Sequence, residues 1–484
     1  MQANGKNVRT RVCVLSIVTA CYDGFMRFKR ALVTCFLKCC AVLLPAALVL
    51  CTPLRAYATE DERKALPVQS NETPDWPQGP ATGAKGAILM ETSTGTVLYA
   101  KNIHERLYPA STTKLMTCLV AMEHASLSDT VTVSANAINA VPSDGVRLGI
   151  AAGRSLTMEQ ALYAIMVRSA NDISNAVAEH VAGSVPAFAD LMNERARSLG
   201  LTGTHFVNAN GLHDENHYTT PYDLCVIAEA FFDSVSLSEI GGTPRYHIEP
   251  SPTQPDEFYL TNKHALITGT VSVEGVIGGK TGFTDEAGEC LVTCAERNGM
   301  RLISVVMFED SPSQFNDSAS LLEYGFANFS PVLAQGNENL VFPETPAFFL
   351  ADRNLFSRDI TSFSFAYGSH LILPAGKTFA DANMTVSSTG APGAQTAMTL
   401  GFDFNAVPVG TVDVIRATVV PATSSLARAG SRVIYIDLRL VLAGTVGVIA
   451  AVTALVMMGQ GGYFLFFGKE AKQRRRRRRK RRRR

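Results

Sequence analysis

The stretch Ser111-Thr112-Thr113-Lys114-Leu115-Met116 joins a short polar motif to an apolar run that continues through Val120. Residues i and i+3 lie on one face of a helix, so a helix beginning here brings Lys114 close to the Ser111 hydroxyl. A serine becomes a useful nucleophile only when a base removes its proton, and a lysine can be that base if burial or nearby positive charge lowers its pKa. The stretch therefore predicts Ser111 as nucleophile and Lys114 as proton acceptor. A helix cap beside a surface lysine is the alternative for this motif alone.

Periodic segments on both sides of this helix indicate the fold. Two strands precede the helix, three follow a block of helices, and a helix at residues 321–326 closes the unit; the strands are expected at residues 86–90, 97–100, 271–277, 290–295 and 302–308. This order predicts an α/β fold over residues 82–330, with helices flanking a mostly antiparallel sheet. Within the helical block, Thr157 and Gln160 fit a capping box for a helix running to about Val167.

A second motif, Ser169-Ala170-Asn171, falls between two expected helices. A loop here can place a hydroxyl and an amide on the facing side of a cleft. Ser169 would relay a proton between Lys114 and a leaving nitrogen, and Asn171 would hold a substrate amide. Simple helix capping by Asn171 or Asp172 is the alternative, because both residue types are favoured at helix starts.

A third motif, Lys280-Thr281-Gly282-Phe283, is expected to end a strand. Lys280 offers a fixed positive charge suited to a carboxylate, Thr281 adds a hydroxyl donor, and Gly282 permits close approach to the strand edge. The backbone N–H groups of Phe283 and Ser111 would together form an oxyanion hole. A glycine-rich turn with an exposed lysine is the alternative.

The charges of the 484-residue chain are unevenly distributed, although their sum is only +1. Residues 1–58 carry 8 basic residues and 1 acidic residue, residues 469–484 carry 13 and 1, and the remainder is acidic with a net charge of −18. Such asymmetry is typical of membrane topology or of a nucleic-acid-binding tail. The 46% of apolar residues excludes a wholly disordered chain.

The amino-terminal basic and apolar segment predicts a secretory signal peptide over residues 1–58, with Ala56-Tyr57-Ala58 as its cleavage pattern. Met26 heads a more ordinary signal by itself, so translation starting at Met26 is a hypothesis, and an uncleaved anchor is the alternative to cleavage. The proline-rich and acidic residues 59–81 have no periodicity and are interpreted as a linker.

The carboxyl-terminal part predicts a small all-β domain over residues 331–421, a linker over 422–439 and a transmembrane helix over 440–467. No charged residue occurs from Leu440 to Gly468, and a helix of the first 19 residues would span roughly 28 Å, close to a bilayer core. The basic residues 468–484 would remain in the cytoplasm, which places the body of the chain outside a cell membrane that it crosses once. Because the span directly precedes the basic run, we expect no nucleic-acid partner.

The residues that bind metals in other proteins form no convincing pattern here. Cys118, Cys225, Cys290 and Cys294 match no zinc spacing and are expected to be buried small hydrophobes. The segment His213-Asp214-Glu215-Asn216-His217 has two histidines four apart, which raises a zinc peptidase as an alternative. The zinc motif requires glutamate directly after the first histidine on a helix, and here aspartate stands in a loop-like context. We therefore expect neither metal nor cofactor.

Together the three motifs resemble those of the low-molecular-weight penicillin-binding proteins, the serine-type D-alanyl-D-alanine carboxypeptidases (peptidase family S11). The resemblance extends from about Ala84 to Phe329 and includes Asn210-Gly211-Leu212-His213 and Thr261-Asn262-Lys263. It implies the penicillin-binding/β-lactamase-like transpeptidase fold and acylation of Ser111 by peptidoglycan stem peptides ending in D-Ala-D-Ala. It also implies hydrolysis of the ester with release of D-alanine, and acylation of the same serine by β-lactam antibiotics.

Three other functions remain as alternatives. A class A β-lactamase would share the motifs, but its E-x-x-L-N pattern is missing after the second motif. A transpeptidase or endopeptidase on the same fold would use the same residues with another acceptor or substrate. A non-catalytic wall-binding protein would keep the fold but not the complete set of motif residues.

Overall fold

The computed structural model describes residues 58–341, 360–389 and 395–419. Its strands, in chain order from β1 to β15, are Gly86–Glu91, Thr96–Lys101, Thr130–Thr132, Ser155–Thr157, Arg245–Ile248, Phe258–Thr261, Val276–Thr284, Gly288–Arg297, Met300–Glu309, Phe329–Leu333, Ile360–Phe365, His370–Pro374, Asn383–Thr389, Thr396–Phe404 and Val407–Val419. Its α-helices, from α1 to α11, are Glu60–Lys64, Lys114–His124, Ala135–Asn139, Met158–Tyr163, Asn171–Ala182, Val185–Ser198, Pro221–Phe232, Val235–Gly242, Ala265–Thr268, Ser313–Asn328 and Glu338–Val341.

A five-stranded antiparallel sheet in the order β2-β1-β9-β8-β7 forms the centre of the fold. Alternate residues of one strand point to opposite faces, and β1 shows this directly. Ile88 and Met90 belong to the core that contains α2 and α7, whereas Ala87 and Leu89 belong to the core that contains α10. This confirms the predicted order of two strands, a helical block, three strands and a closing helix. The helices supply the apolar cover that both faces of the sheet require.

Local signals inside the helical block behave as predicted. Thr157 and Gln160 form a reciprocal capping box at the start of α4, and a π-helical turn over Ala164–Arg168 follows that helix. The four cysteines at positions 118, 225, 290 and 294 are all buried, and none of these four forms a disulfide. They pack as small apolar side chains, as expected.

The position of β7 differs from the prediction. The strand was expected at residues 271–277 with the Lys280 motif at its end, but it spans Val276–Thr284 and contains the whole motif. Glycines 278 and 279 do not break it, because neighbouring backbone fills the space of their missing side chains. A Cβ on Gly279 would lie 2.2 Å from the Val292 oxygen, and one on Gly278 would lie 2.8 Å from Gly241 backbone.

Residues 59–81 are not a linker, so this prediction is wrong. Thr59 and Glu62 form a capping box that starts α1, and Trp76 is buried with its indole N–H donating to the Leu98 oxygen at 2.9 Å. The Trp76 ring lies 5.0 Å from that of Phe329, measured between centroids. The acidic and proline-rich composition of the segment gave no sign that Trp76 would be buried. Burial of this large side chain holds the segment against the sheet.

The strands after residue 330 confirm the expected all-β texture. Strand β10 pairs with β12, and a four-stranded antiparallel sheet has the order β11-β15-β14-β13. This part does not have a separate core, however, because Phe404, Val412 and Val414 share one apolar cluster with Trp76 and Leu98. The regions expected at 82–330 and 331–421 therefore belong, as far as they are described, to one compact unit.

Several predicted segments lie outside the described residues. These are the signal peptide except Ala58, the linker over 422–439, the transmembrane helix over 440–467 and the basic tail over 468–484. Among the described residues, no helix is long and apolar enough to cross a membrane.

Candidate active site

Ser111 and Lys114 meet at the junction between a 3₁₀ turn, Ala110–Thr113, and helix α2. The Lys114 Nζ atom lies 2.8 Å from the Ser111 Oγ atom, and the lysine is completely buried. Ala110 adopts a positive φ of 46°, a conformation that costs a non-glycine residue energy and that often occurs at functional sites. The predicted contact between nucleophile and base is present, and the surface-lysine alternative is excluded.

Two further acceptors hold the Lys114 amine. Its Nζ atom donates to the Asn171 Oδ1 atom at 2.7 Å and to the Asn210 backbone oxygen at 2.5 Å. Burial lowers the pKa of Lys114 well below its usual value, and the positive charge of Lys280 lowers it further. Both oxygens lack a hydrogen to donate, so a neutral Lys114 amine donates one N–H group to each of them. Its lone pair is then directed to the Ser111 hydroxyl.

The Asn210 carbonyl is a part of this site to which the sequence analysis gave no role. The Asn210 side-chain amide donates to the Asn175 Oδ1 atom at 2.9 Å, and the Thr117 hydroxyl donates to the Ala209 oxygen at 2.6 Å. Gly211 has a φ of 81°, and a Cβ there would lie 1.8 Å from the Ala110 oxygen. The Asn-Gly pair was visible in the sequence, but a backbone carbonyl leaves no residue-type signal of its own.

The second motif is only partly assembled. Asn171 begins α5 without capping it, since its side chain binds Lys114 instead. Asp172 accepts the backbone N–H of Leu148 at 3.0 Å and thereby fastens the neighbouring loop. Ser169 has a left-handed φ of 64° and is half-buried, and its hydroxyl makes no hydrogen bond to another described residue. Its role as a proton relay stays a prediction.

The third motif lies on an edge strand beside the nucleophile. Lys280 is 2% exposed, and its Nζ atom donates to the Thr281 oxygen at 2.8 Å. Burial lowers the pKa of Lys280 to about 7. An exposed lysine in a glycine-rich turn, the alternative for this motif, is therefore excluded. A buried cation without a carboxylate partner is a favourable place for an incoming anion.

Gly282 brings the strand close to the catalytic turn. A Cβ at this position would lie 3.0 Å from the Ser111 nitrogen and 2.9 Å from the Pro109 oxygen. The neighbouring Thr281 is half-buried, and the Phe283 side chain is 58% exposed. Because β7 is the last strand of the five-stranded sheet, one side of its backbone pairs with no other strand of that sheet. The structure thus brings Ser111, Lys114, Asn171, Lys280 and Gly282 to one cleft.

The paired histidines of the zinc alternative have other contacts. His217 is 2% exposed, with its Nε2 atom 2.8 Å from the Thr113 hydroxyl and its Nδ1 atom accepting from the Val207 nitrogen at 3.2 Å. Burial lowers its pKa to about 3. His213 packs instead edge-on against Tyr108, with the ring centroids 4.7 Å apart. Both ring nitrogens of His217 are occupied, and the described part of the chain has no group of three metal-ligating side chains.

Comparison with known proteins places this fold and cleft in one family. The family model for D-alanyl-D-alanine carboxypeptidase matches residues 72–311. The chain is 36% identical over 252 residues to D-alanyl-D-alanine carboxypeptidase DacF of Bacillus subtilis, covering 51% of this chain and 63% of that relative. It is 31% identical over 259 residues to a D-alanyl-D-alanine carboxypeptidase of a Streptomyces species, covering 51% of this chain and 89% of the relative.

A solved structure agrees on the fold. Penicillin binding protein 5 from Haemophilus influenzae is similar with a TM-score of 0.57 at 24% identity, over 71% of this chain and 98% of that one. Family membership rests on the Streptomyces relative, which is 31% identical and covered over 89% of its length: the chain belongs to the D-alanyl-D-alanine carboxypeptidase family, peptidase family S11. The resemblance inferred from the three motifs is confirmed. The chain spans less than two thirds of the length of several relatives, including 63% of the Bacillus protein.

Proposed function

We propose that this protein is a serine-type D-alanyl-D-alanine carboxypeptidase that removes the terminal D-alanine from peptidoglycan stem peptides. The observation that carries the proposal is the 2.8 Å contact between the Ser111 Oγ atom and the buried Lys114 amine, whose pKa is lowered. Serine acylation requires a base in contact with the hydroxyl, and a lowered pKa favours the neutral form of the amine that can act as that base. Membership in the family supports the same chemistry.

Acylation begins with transfer of the Ser111 hydroxyl proton to Lys114. The Ser111 oxygen attacks the carbonyl carbon of the penultimate D-alanine, and the backbone N–H groups of Ser111 and Phe283 stabilise the resulting oxyanion. The C–N bond then breaks, and Ser169 passes the proton from Lys114 to the leaving nitrogen. Free D-alanine departs, and the remaining peptide is esterified to Ser111.

Deacylation runs the same proton transfers in reverse, with water in place of the leaving amine. Lys114 accepts a proton from the water, the hydroxyl attacks the ester carbon, and the Ser111 oxygen leaves and recovers its proton. The shortened peptide is released as a carboxylate, and the site returns to its starting state. Asn171 holds the amide side of the substrate during both halves, in addition to its bond with Lys114.

Lys280 recognises the terminal carboxylate, assisted by the Thr281 hydroxyl. With a pKa of about 7, the free Lys280 amine is only partly charged near neutral pH. A bound carboxylate favours the ammonium form, and that charge in turn lowers the pKa of Lys114. Substrate binding therefore makes the base more neutral as the reaction begins. Penicillins would enter by the same contacts and acylate Ser111.

We further propose that the protein is exported and held in the cell membrane by residues 440–467, with residues 468–484 in the cytoplasm and the cleft outside. The uncharged apolar run and the basic run after it support this arrangement. Amino-terminal sequencing of the purified protein should begin at Thr59. A carboxyl-terminal epitope should resist protease on intact cells, and a protease-accessible epitope would contradict the topology.

The decisive experiment uses the full chain in detergent with an N-acylated peptide ending in D-Ala-D-Ala. We expect release of free D-alanine, inhibition by benzylpenicillin, and loss of both release and penicillin labelling in Ser111→Ala. Absence of labelling in the wild type would favour a wall-binding protein without catalysis. Transfer of the acyl group to an added amine, with little D-alanine hydrolysed, would favour a transpeptidase. Rapid turnover of the penicillin itself would favour a β-lactamase.

A further inference from the structure

Asp172 is a buried carboxylate, next to Asn171, that the mechanism above does not use. It is 1% exposed and forms no ion pair with any residue that the structure describes. Within the described chain its oxygens accept from backbone N–H groups, those of Leu148 at 3.0 and 3.2 Å, Gly149 at 3.4 Å and Ile173 at 3.0 Å. Burying a carboxylate is costly unless hydrogen bonds replace the lost water. These bonds therefore show what the charge holds in place.

The loop of residues 141–149 is attached both to Asp172 and to the residue before it. The Asn171 N–H donates to the Val146 oxygen at 2.9 Å. This bond runs in the opposite direction to the bonds that Asp172 accepts from the same loop. Asn171 and Asp172, the first two residues of α5, therefore clamp the loop from two sides.

The loop also packs against the side chain of Asn171. A Cβ added to Gly145 would lie 3.5 Å from the Asn171 Nδ2 atom, so the loop backbone lies beside that amide. Arg147 keeps the loop in this shape, because its guanidinium donates to the backbone oxygens at positions 141 and 142. The other end of the Asn171 amide, its Oδ1 atom, accepts from the Lys114 amine at 2.7 Å. The clamp on the backbone thus fixes where the contact with the catalytic lysine is made.

The charge of Asp172 also acts on Lys114. Burial and the positive charge of Lys280 lower the pKa of Lys114, whereas the negative charge of Asp172 opposes them. Two other titratable groups face this amine. Burial raises the pKa of the Cys118 thiol to about 12 and lowers the pKa of His217 to about 3, so both are neutral at neutral pH. Asp172 is therefore the carboxylate that counters Lys280 at this amine.

Such a balance matters for a base that must both take up a proton and release it. General acid–base catalysis is most efficient when the pKa of the catalytic group lies near the working pH. With burial and Lys280 alone, the Lys114 amine would be neutral but would hold the Ser111 proton poorly. The Asp172 charge favours the ammonium form that exists between proton uptake and proton release.

We propose that Asp172 is a positioning residue for the chemistry at Ser111. Through the 141–149 loop it fixes Asn171 on the Lys114 amine, and its charge supports the ammonium that forms during acylation. The inference rests on the proposed function, since it concerns how well Lys114 serves as the base. The hydrogen bonds of Asp172 go to the loop and to the start of α5, so it acts through its neighbours.

The pH profile of Ser111 acylation by benzylpenicillin, measured on the full chain in detergent, tests the charge. Acylation needs the neutral Lys114 amine, so a lower pKa of that amine lets acylation persist at lower pH. In Asp172→Asn we expect the acidic limb to move about half a pH unit lower, because a charge that raised this pKa is gone. The plateau rate should fall about three- to tenfold, because the amine is a weaker base. Asp172→Ser removes the same charge without adding an amide donor and should shift the limb equally.

Asp223 supplies a matched control. It is 5% exposed, lies in the first turn of α7 and accepts the backbone N–H of Gly203 at 2.9 Å. Asp223→Asn should therefore lower the urea midpoint, as Asp172→Asn does, but leave the acidic limb at its wild-type position. An unmoved limb in the Asp172 variants, or an equal shift in Asp223→Asn, would overturn the electrostatic role of Asp172.

Hydrogen–deuterium exchange tests the positioning role. In Asp172→Asn and in Arg147→Gln we expect faster exchange in the peptide that contains Leu148 and Gly149, together with slower acylation. The acidic limb should stay in place in Arg147→Gln, because the charge of Asp172 remains. Wild-type exchange in either variant, or wild-type acylation in Arg147→Gln, would overturn the role of the loop.

The wild-type protein separates failure of this inference from failure of the proposed function. If penicillin does not label wild-type Ser111 and no D-alanine is released from the peptide, then the carboxypeptidase function itself fails. If the wild type is labelled and both Asp172 variants acylate with the wild-type rate and pH profile, then only the role of Asp172 fails.

Discussion

The protein buries a lysine in two regions that look alike and differ in what they can do. In the cleft, the Lys114 amine contacts a hydroxyl and two carbonyl oxygens. At the far edge of the sheet, the Lys101 amine donates to the Arg63 oxygen at 2.8 Å and to the Thr82 oxygen at 2.6 Å, with the Thr82 hydroxyl more distant at 3.4 Å. Both side chains are fully buried.

The surrounding charges separate the two lysines. Burial lowers the pKa of Lys101 to about 8, but the negative charges of Glu309, when it is ionised, and of Asp317 oppose this shift. The neighbour of Lys114 is another cation, Lys280, which adds to the effect of burial. With a pKa of about 8, Lys101 is mostly an ammonium at neutral pH and fastens the amino-terminal segment, whereas burial and the nearby Lys280 lower the pKa of Lys114 well below its usual value and so favour its neutral form. Burial alone therefore does not distinguish the two lysines. What distinguishes Lys114 is a neighbouring cation that adds to the effect of burial and a serine hydroxyl within hydrogen-bond distance.

The sharpest way to break this comparison is to remove each amine. Lys114→Met should lower the rate at which benzylpenicillin acylates Ser111 by about 10³-fold or more, because general-base catalysis contributes on the order of 10²–10⁴. Lys101→Met should leave that rate within about threefold but destabilise the fold by about 1–3 kcal/mol, since buried carbonyls lose their donor. Stopped-flow acylation and urea unfolding measure the two effects. A folded Lys101→Met protein that no longer acylates would contradict the separation of roles.

Removing the charge beside Lys114 should move its titration. In Lys280→Gln we expect kcat/KM for the peptide to fall by about 10²-fold, because a buried carboxylate loses its charged partner. The pKa of Lys114 should also rise, since the neighbouring positive charge that lowers it is gone. Acylation needs the neutral amine, so the acidic limb of its pH profile should shift to higher pH. A limb that stays in place, measured with penicillin from about pH 5 to 9, would argue against the coupling.

Two glycines test how rigidly each lysine is enclosed. Gly211→Ala should cost about 3 kcal/mol or more and slow acylation, because a Cβ at 1.8 Å from the Ala110 oxygen forces backbone to move. Gly83→Ala, beside Lys101, meets the end of the Glu309 side chain at 2.4 Å, which can rotate away. We therefore expect it to cost only about 1 kcal/mol with normal acylation. If urea unfolding shows the same loss of stability for Gly211→Ala and Gly83→Ala, the surroundings of Lys114 are no more rigid than those of Lys101.

The smallest effect concerns Glu309. Burial and the neighbouring Asp317 carboxylate raise the pKa of Glu309 above its ordinary value of 4.5. The folded protein then retains a proton that the unfolded chain releases, so stability falls as the pH rises above the ordinary carboxyl range. In Glu309→Gln this decline, about 1 kcal/mol between about pH 5 and pH 8, should disappear. Parallel pH dependence in wild type and variant would show that Glu309 does not hold that proton.

The sequence predicted most of the fold and the contact between Ser111 and Lys114, and what it missed has a physical basis. Strand alternation, the Thr157 capping box and the spacing of Ser111 and Lys114 are local, so the residue types alone reveal them. The Asn210 carbonyl depends on backbone geometry, and any residue type has a carbonyl. The role of Lys101 depends on contacts with Arg63, which was placed in a supposed linker.

The misplacement of β7 has a similar origin. The strand was expected at residues 271–277, and glycine normally weakens a strand, so the residue types at positions 278 and 279 do not indicate that it continues. In the folded chain those glycines admit the backbone of Gly241 and the Val292 oxygen, which no pattern of residue types reports. The same applies to Trp76, whose partners Leu98 and Phe329 are far away in the sequence.

The unpaired edge of β7 has a consequence for which chains the cleft admits. An open strand edge ordinarily invites any extended segment, including another copy of the same protein. Here the edge carries Lys280, buried and without a carboxylate partner among the described residues. A strand that ran on past this point would cover the buried Lys280 amine without offering a carboxylate to its charged form, which is costly. Only a chain that terminates there brings its own counter-ion, so this edge favours chain ends over chain interiors, as the proposed carboxypeptidase activity would require.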